Sequence, residues 1–390
     1  MLLSIALILL LGMFMGWLCK KIHLPGLTGM LLTGILLGPY VLNLIDSSLL
    51  NISSDLRRIA LIIILARAGL SLDLKDLKKV GRPAVLMCFV PACLEMLGMV
   101  LLAPALLGIS VLDAAIMGAV VAAVSPAVVV PKMLKLMEEG YGVSHSIPQL
   151  ILAGASVDDV FVIVVFTAFT GLAQGNRVSV KSFLNIPISI IFGILGGFLI
   201  GWILAKYFEK MHLRDTVKVM IFLCVSFLLV TFEDTFSSII PFASLIAVMA
   251  MGISLQKNRT EVSRRLSVKF NKLWVAAEIL LFVLVGATVD IQYAASAGLL
   301  CILLILGVLL FRMLGVCLCL LQTSLTWKER LFCMIAYTPK ATVQAAIGGV
   351  PLAMGLSCGN MVLTVAVVAI LMAAPLGAFF IDATYKKLLK

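Results

Sequence analysis

Charge is scarce in this chain: charged residues make up 13% of its 390 residues, against 62% hydrophobic ones. A soluble domain carries about 25% charged residues, so the composition excludes an ordinary soluble globular domain. Short segments of alternating polarity, the mark of a transmembrane barrel, are also lacking, and long continuous apolar runs stand in their place. The nine cysteines include no Cys-x-x-Cys pair and are scattered through apolar segments. That excludes a disulfide framework and makes them small buried hydrophobes. No low-complexity tail or soluble domain is expected at either end. The first apolar run, 2–18, has no positively charged segment before it, and its first positive charges, Lys20 and Lys21, follow it. A cleaved signal is thereby excluded and a retained first helix expected.

What is there reads as an all-α polytopic membrane protein. Thirteen apolar stretches qualify as transmembrane helices: 2–18, 26–44, 56–72, 83–107, 111–136, 147–173, 183–207, 214–232, 239–255, 271–290, 294–321, 329–354 and 358–382. An odd number puts the termini on opposite sides. With the N-terminus outside, the cytoplasmic side collects Lys20, Lys21, Lys75, Lys78, Lys79, Arg82, Lys206, Lys210, Arg214, the run from Lys257 to Lys272, Lys328, Arg330, Lys386, Lys387 and Lys390. The outer side keeps little beyond Arg57, Arg58, Arg177 and Lys181. The positive-inside rule therefore sets the N-terminus outside and the C-terminus in the cytoplasm, with the chain expected in a bacterial cytoplasmic membrane. Topology accounts for most of the net charge of +11, so no nucleic-acid partner is implied; membrane lipids are.

Two stretches are interrupted. The fifth contains Val124-Ser125-Pro126 and Pro131; the twelfth contains Thr338-Pro339-Lys340, then Gly348-Gly349 and Pro351. Proline removes a backbone donor and clashes with the turn before it, and in lipid the freed carbonyls need new partners. One such stretch is as easily a simple kink as a functional break. Two of them seven spans apart are more telling, because an odd offset inverts the second, as inverted-topology repeats require. Interrupted helices at corresponding positions in two inverted halves point to a transporter's ion site.

The deep ionisable residues converge on one depth. Asp158 and Asp159 lie about 17 Å into the sixth stretch, Glu95 about 18 Å into the fourth, Lys340 about 17 Å into the twelfth, and Arg312 about 14 Å from the end of the eleventh. A single carboxylate at mid-bilayer costs about 2.5–3.5 kcal/mol, so two adjacent ones need a reason. Neighbours on a helix point about 100° apart, and one partner cannot neutralise both. A carboxylate that holds either a proton or a cation, but not both, is the minimum device for exchange. For Glu95 and Arg312 a charge pair joining two helices is the simpler reading. Lys340 could serve the carbonyls of the broken helix or compete with a cation at the aspartates.

These motifs resemble the monovalent cation:proton antiporter superfamily, most closely its NHA-type sodium/proton antiporter branch. The resemblance rests on Leu65-Ala-Arg-Ala-Gly-Leu-Ser-Leu-Asp73, on Gly118 to Pro131, on Gly154-Ala-Ser-Val-Asp-Asp159, on Leu281 to Ala287 and on Pro339 to Gly348, and it runs from about Pro25 to the C-terminus. It implies a homodimer of two-domain protomers in which the fifth and twelfth helices are broken and cross. Residues 83–174 and 294–390 would form the ion-transport core. Residues 1–82 and 211–293 would form a dimerisation domain, and 175–210 a linker helix.

The resemblance further implies Asp159 as the carrier of the transported Na⁺ and of the proton, with Asp158 beside it. Ser125, Pro126, Pro339 and Lys340 would sit at the helix breaks. Arg312 stands where better-known double-aspartate relatives carry a lysine, and the branch pairs that arginine with a glutamate matching Glu95. Arg312 is therefore expected on Glu95 rather than on Asp158, which leaves Asp158 without a basic partner unless Lys340 serves. Arginine stays protonated in proteins, so an electrogenic stoichiometry is put in question.

The implied activity is secondary antiport of Na⁺ or Li⁺ against H⁺, with Asp159, Asp158 and backbone oxygens near Ser125 around the cation and with no cofactor. Rival readings are a cation-coupled symporter of an organic solute and a K⁺/H⁺ antiporter. An intramembrane aspartyl protease is excluded by the adjacency of Asp158 and Asp159, which cannot flank a peptide; no enzyme is expected.

Overall fold

The computed structural model describes residues 1–22, 24–71, 81–174, 180–211, 213–236 and 240–389. The side chains at 156, 160, 174, 180–187 and 291–297 are outside that description. Asp73, Lys75, Lys78, Lys79, Arg177 and Lys390, named above, therefore lie outside the described residues, as does the Lys181 side chain.

No strand occurs among the described residues. The helices are α1 (Leu2–Lys21), α2 (Gly26–Leu37), α3 (Ser47–Asn51), α4 (Ser53–Ser71), α5 (Arg82–Met87) and α6 (Val90–Leu107). Next come α7 (Val111–Val121), α8 (Pro126–Glu138), α9 (Ile147–Gln174), α10 (Val180–Lys210), α11 (Asp215–Phe236) and α12 (Ser244–Asn258). The last are α13 (Thr260–Ala287), α14 (Ile291–Cys319), α15 (Trp327–Ala336), α16 (Thr342–Ile347), α17 (Val350–Ala353) and α18 (Gly359–Leu388).

Among the described residues nine helices are long and apolar enough to cross a membrane, and Gly26–Leu37 and Thr342–Ala353 are shorter apolar ones. Two expected stretches fall short for physical reasons. Helix α4 carries Asp55, Arg57, Arg58 and Arg67, and α12 has only 15 residues. The protein is thus an all-helical polytopic membrane protein.

The described residues fall into two compact units. One lies within Met1–Ser54, Lys75–Ala173 and Ile279–Lys390, the other within Asp55–Leu74 and Gln174–Glu278. In the first unit, prolines decide where helices stop. A proline at position i cannot donate to the carbonyl of residue i−4, and here those carbonyls find side-chain donors. Pro91 frees Met87, and the expected continuous fourth stretch is in fact interrupted there, at Cys88 and Phe89. Tyr337 Oη donates to the Met87 carbonyl at 3.0 Å. Pro126 frees Ala122, whose carbonyl accepts from Arg312 Nη1. Pro339 frees Ile335, whose carbonyl accepts from Thr338 Oγ1 at 2.8 Å.

Helix starts are capped in the usual way. Ser110 accepts from the Asp113 amide at 3.1 Å at the start of α7, and Thr326 and Glu329 form a capping box on α15. Two glycines allow close approach at the breaks. A Cβ on Gly154 would lie 2.5 Å from Tyr337 Oη, and one on Gly377 would lie 2.6 Å from Pro339 Cγ.

The second unit is held by backbone contact. Gly193, Gly197 and Gly201, four residues apart on α10, lie against the carbonyls of Ala243, Ala247 and Met251, four residues apart at the start of α12 and along it. Between apolar helices in lipid, small residues that let backbones meet replace the missing hydrophobic drive. A Cβ on Gly197 would come within 2.3 Å of the Ala247 oxygen. Gly197→Val is expected to destabilise by about 1–3 kcal/mol through overpacking. Gly171→Ala on α9, where a Cβ meets nothing within 4 Å, is expected to be neutral or stabilising by up to about 1 kcal/mol. Thermal unfolding of the two purified variants checks this ordering.

Candidate functional site

The first break separates α7 from α8 over Ala122–Ser125, and the second separates α15 from α16 over Tyr337–Ala341. The two breaks touch through their main chains: the Ser125 amide donates to the Pro339 carbonyl at 2.8 Å. All the side chains described here belong to the first compact unit.

Unwinding a helix in an apolar interior leaves backbone groups that must be satisfied, and at the first break they can be followed residue by residue. Gln344 Nε2 donates to the carbonyls of Val121 and Ala123, each at 2.9 Å. Arg312 Nη1 donates to the carbonyl between them, Ala122. The Val124 amide donates to Asp158 Oδ2 at 2.8 Å. Pro126 opens α8, a position where a missing N–H costs nothing. The carbonyls of Val121, Ala122 and Ala123 thus each accept from a side-chain donor.

Around this strand the charges form one network. Arg312 Nη1 donates to Glu95 Oε2 and Arg312 Nη2 to Asp158 Oδ2, both at 2.8 Å. Its Nε donates to the Tyr337 carbonyl at 2.6 Å, and its guanidinium lies 4.9 Å from the centre of the Tyr337 ring. Lys340 Nζ donates to Glu95 Oε2 at 2.6 Å. Glu95, Asp158, Arg312 and Lys340 are fully buried, and Asp159 is 9% exposed. Arg312 thus serves both carboxylates and not Glu95 alone, because the guanidinium fork presents donors on separate nitrogens. Lys340 goes to Glu95, so the basic partner of Asp158 is Arg312.

Asp159 is left over: it makes no hydrogen bond or ion pair among the described residues, and its buried Oδ1 has no donor. Counted with every group ionised, three carboxylates face two bases, one positive charge short. The network is also rich in unused oxygens. Glu95 Oε1, Ser125 Oγ, Asp158 Oδ1, Asp159 Oδ1, Thr342 Oγ1 and Gln344 Oε1 are all buried without a donor among the described residues. Ser125 is telling, because it stands at the N-cap of α8 and yet its hydroxyl caps nothing. A serine there normally accepts from the first turn. Carboxylate, hydroxyl and amide oxygens are the ligand set of a hard cation.

Of the residues singled out from sequence, Glu95, Ser125, Asp158, Arg312, Pro339 and Lys340 are joined by these contacts. Asp159 adjoins them in sequence on α9, and Pro126 starts the half-helix beside them. Sequence reasoning missed Tyr337, Thr342 and Gln344. Thr342 and Gln344 did carry a signal, as polar side chains in an apolar stretch directly after the second break. The tyrosine carried none, since its role depends on where Pro91 leaves a carbonyl.

A family model described as sodium/hydrogen exchanger, transmembrane, matches residues 5–386. Sodium/hydrogen exchanger 9B2 of Mus musculus is 36% identical over 375 residues, which is 92% of this chain and 67% of that protein. Sodium/hydrogen exchanger 9B1 of Homo sapiens is 31% identical over 383 residues, 94% of this chain and 73% of that protein. Among solved structures, the sodium proton antiporter MjNhaP1 of Methanocaldococcus jannaschii at pH 8 matches with a TM-score of 0.87, covering 98% of this chain and 97% of that one. At 21% identity this is a likeness of fold.

Breaking a buried ion pair from one side costs about 3–5 kcal/mol. Arg312→Met is expected to lose at least that much, since it leaves the Ala122 and Tyr337 carbonyls without a side-chain donor, Glu95 with Lys340 alone and Asp158 with the Val124 amide alone. Glu95→Met should cost less, because Arg312 keeps Asp158 and both carbonyls and only the Lys340 ammonium is stranded. Thermal unfolding in detergent gives the order, and an equal or larger loss for Glu95→Met would overturn it.

Proposed function

Because the chain belongs to the sodium/hydrogen exchanger family, and with it to the monovalent cation:proton antiporters, we propose that it exchanges Na⁺ or Li⁺ for H⁺ by alternating access, with Asp159 as the group for which cation and proton compete. Its relatives are named as transporters, not enzymes.

The observation that carries this reading is the uncompensated Asp159 carboxylate in a network one positive charge short. One proton or one monovalent cation restores neutrality, and both cannot sit on the same carboxylate. Unpartnered oxygens on Asp158, Asp159 and Ser125 suit a partly dehydrated Na⁺. Arg312 and Lys340 hold Glu95 and one oxygen of Asp158 in place, and Asp159 alone changes its load. The charge count then favours one cation per proton, an electroneutral exchange.

Thirteen spans, with the charged helix α4, the shorter helices α2 and α12 and the α15–α17 segment also crossing, give the inverted repeat that a seven-span offset requires. The site's side chains come only from 83–174 and 294–390, which supports these as the moving core. Residues 1–82 and 211–293 then form the dimerisation domain of a homodimer, with 175–210 as the link. The core shifts against that domain and exposes the site to each side in turn. The basic loops orient the N-terminus outside and the C-terminus in the cytoplasm. The similar sequences reported above are vertebrate proteins, which lends the bacterial assignment no support.

In proteoliposomes at clamped potential, with internal pH followed while external Na⁺, Li⁺ and K⁺ are varied, Asp159→Asn is expected to abolish exchange by a folded protein. Full exchange by that variant would sink the reading. Since one proton leaves the ligand for each cation bound, the wild-type KM for Na⁺ should rise about tenfold per unit fall in pH on the acid side. A rate that tracks the membrane potential would overturn the one-for-one stoichiometry.

A further inference from the structure

The second broken helix contributes more than a scaffold. Gln344 is fully buried, and the direction of its amide follows from chemistry. Its two neighbours at 2.9 Å are both carbonyls, and carbonyls only accept, so the nitrogen faces them and spends its two hydrogens there. The amide oxygen points elsewhere and has no donor among the described residues. As a cap on the carbonyl end of α7, Gln344 needs only its nitrogen. The acceptor half of the amide is what capping leaves unexplained.

Thr342 poses the same question two residues earlier. It is the first residue of α16, it is buried, and its hydroxyl has no partner among the described residues. Both residues start the half-helix that follows Lys340, whose ammonium is held on Glu95. The strand that Gln344 grips continues directly into Val124, held by Asp158, and into Ser125, whose own hydroxyl is unused. Idle oxygens therefore occur on both broken helices: on Ser125 in the unwound segment, on Gln344, which holds that segment through its nitrogen, and on Thr342 two residues before it.

We propose that Gln344 and Thr342 are ligands of the transported cation and set its size selectivity. The second broken helix thus supplies neutral oxygens to a site whose charge comes from α9. This inference rests on the reading of Asp159 as the ion carrier. A neutral amide oxygen adds coordination without adding charge, so it leaves the one-for-one balance intact while fixing the size of ion that fits. Because the Gln344 nitrogen is pinned to the unwound strand, its oxygen cannot follow an ion of the wrong radius.

The test measures KM for Na⁺ and for Li⁺ with the purified full chain in liposomes, for wild type, Gln344→Asn, Thr342→Val and Asp159→Asn. Gln344→Asn draws the oxygen back by one methylene and is expected to raise the Na⁺ KM at least tenfold and to change the Li⁺-to-Na⁺ KM ratio at least threefold. Thr342→Val removes only the hydroxyl and should shift the ratio in a protein of unchanged stability. A purely structural role would lower turnover for both ions and leave the ratio alone. If Gln344→Asn does not give a monodisperse protein, Thr342→Val decides. An unchanged ratio in every folded variant, with Asp159→Asn inactive, overturns the proposal and leaves the antiport reading standing. Exchange by Asp159→Asn overturns that reading itself.

Discussion

The guanidinium of Arg312 is the interaction on which the rest of the site depends. It donates to Glu95, to Asp158, to Ala122 in the first break and to Tyr337 in the second. No water from the bilayer core can take over these acceptors, so removing one side chain would leave two carbonyls without a donor and each carboxylate with one partner fewer. Arginine suits the place because its donors form a rigid fork and because it stays charged. A lysine offers three donors from a single point and could not reach four oxygens on four elements. The broken helices thus have a permanent cation where they meet, and that cation is not available for transport chemistry.

From this follows a division of the carboxylates. Glu95 and Asp158 each commit one oxygen to Arg312, and Glu95 also takes Lys340. Asp159, next in sequence to Asp158 but turned about 100° away, is left uncompensated. A buried charge without a partner is tolerated where it is used. With every group ionised, the deficit of one positive charge is a property of the whole network and not of Asp159 alone.

Much of this was legible in the sequence, for reasons that differ by residue. Pro126 and Pro339 mark the breaks because a missing N–H has consequences wherever it falls. Yet Pro131 lies inside α8 without ending it, and Pro91 interrupts a stretch that reads as continuous. Periodicity cannot rank these prolines, since the outcome depends on which side chain arrives at the freed carbonyl. The depth of Glu95, Asp158, Arg312 and Lys340 follows from helical rise alone, so their meeting could be anticipated. Who pairs with whom could not. Arg312 reaches two carboxylates because its fork has separate donors, and Lys340 turns to Glu95, which depends on the path of the chain through Pro339 and Ala341. Gln344 and Thr342 were visible as polar residues, but nothing in their spacing says that one grips the strand opposite. The helices α4 and α12 fall outside the clear membrane spans for different reasons, charge in the first and length in the second.

The bond from the Ser125 amide to the Pro339 carbonyl separates evolvability from mechanics. It splices the two broken helices by main chain alone, so a pull on one is felt by the other whatever side chain residue 125 carries. The hydroxyl at that position is then free to be exchanged for another group without loosening the splice. Substitutions at 125 could therefore accumulate while the main-chain link between the two breaks stays the same.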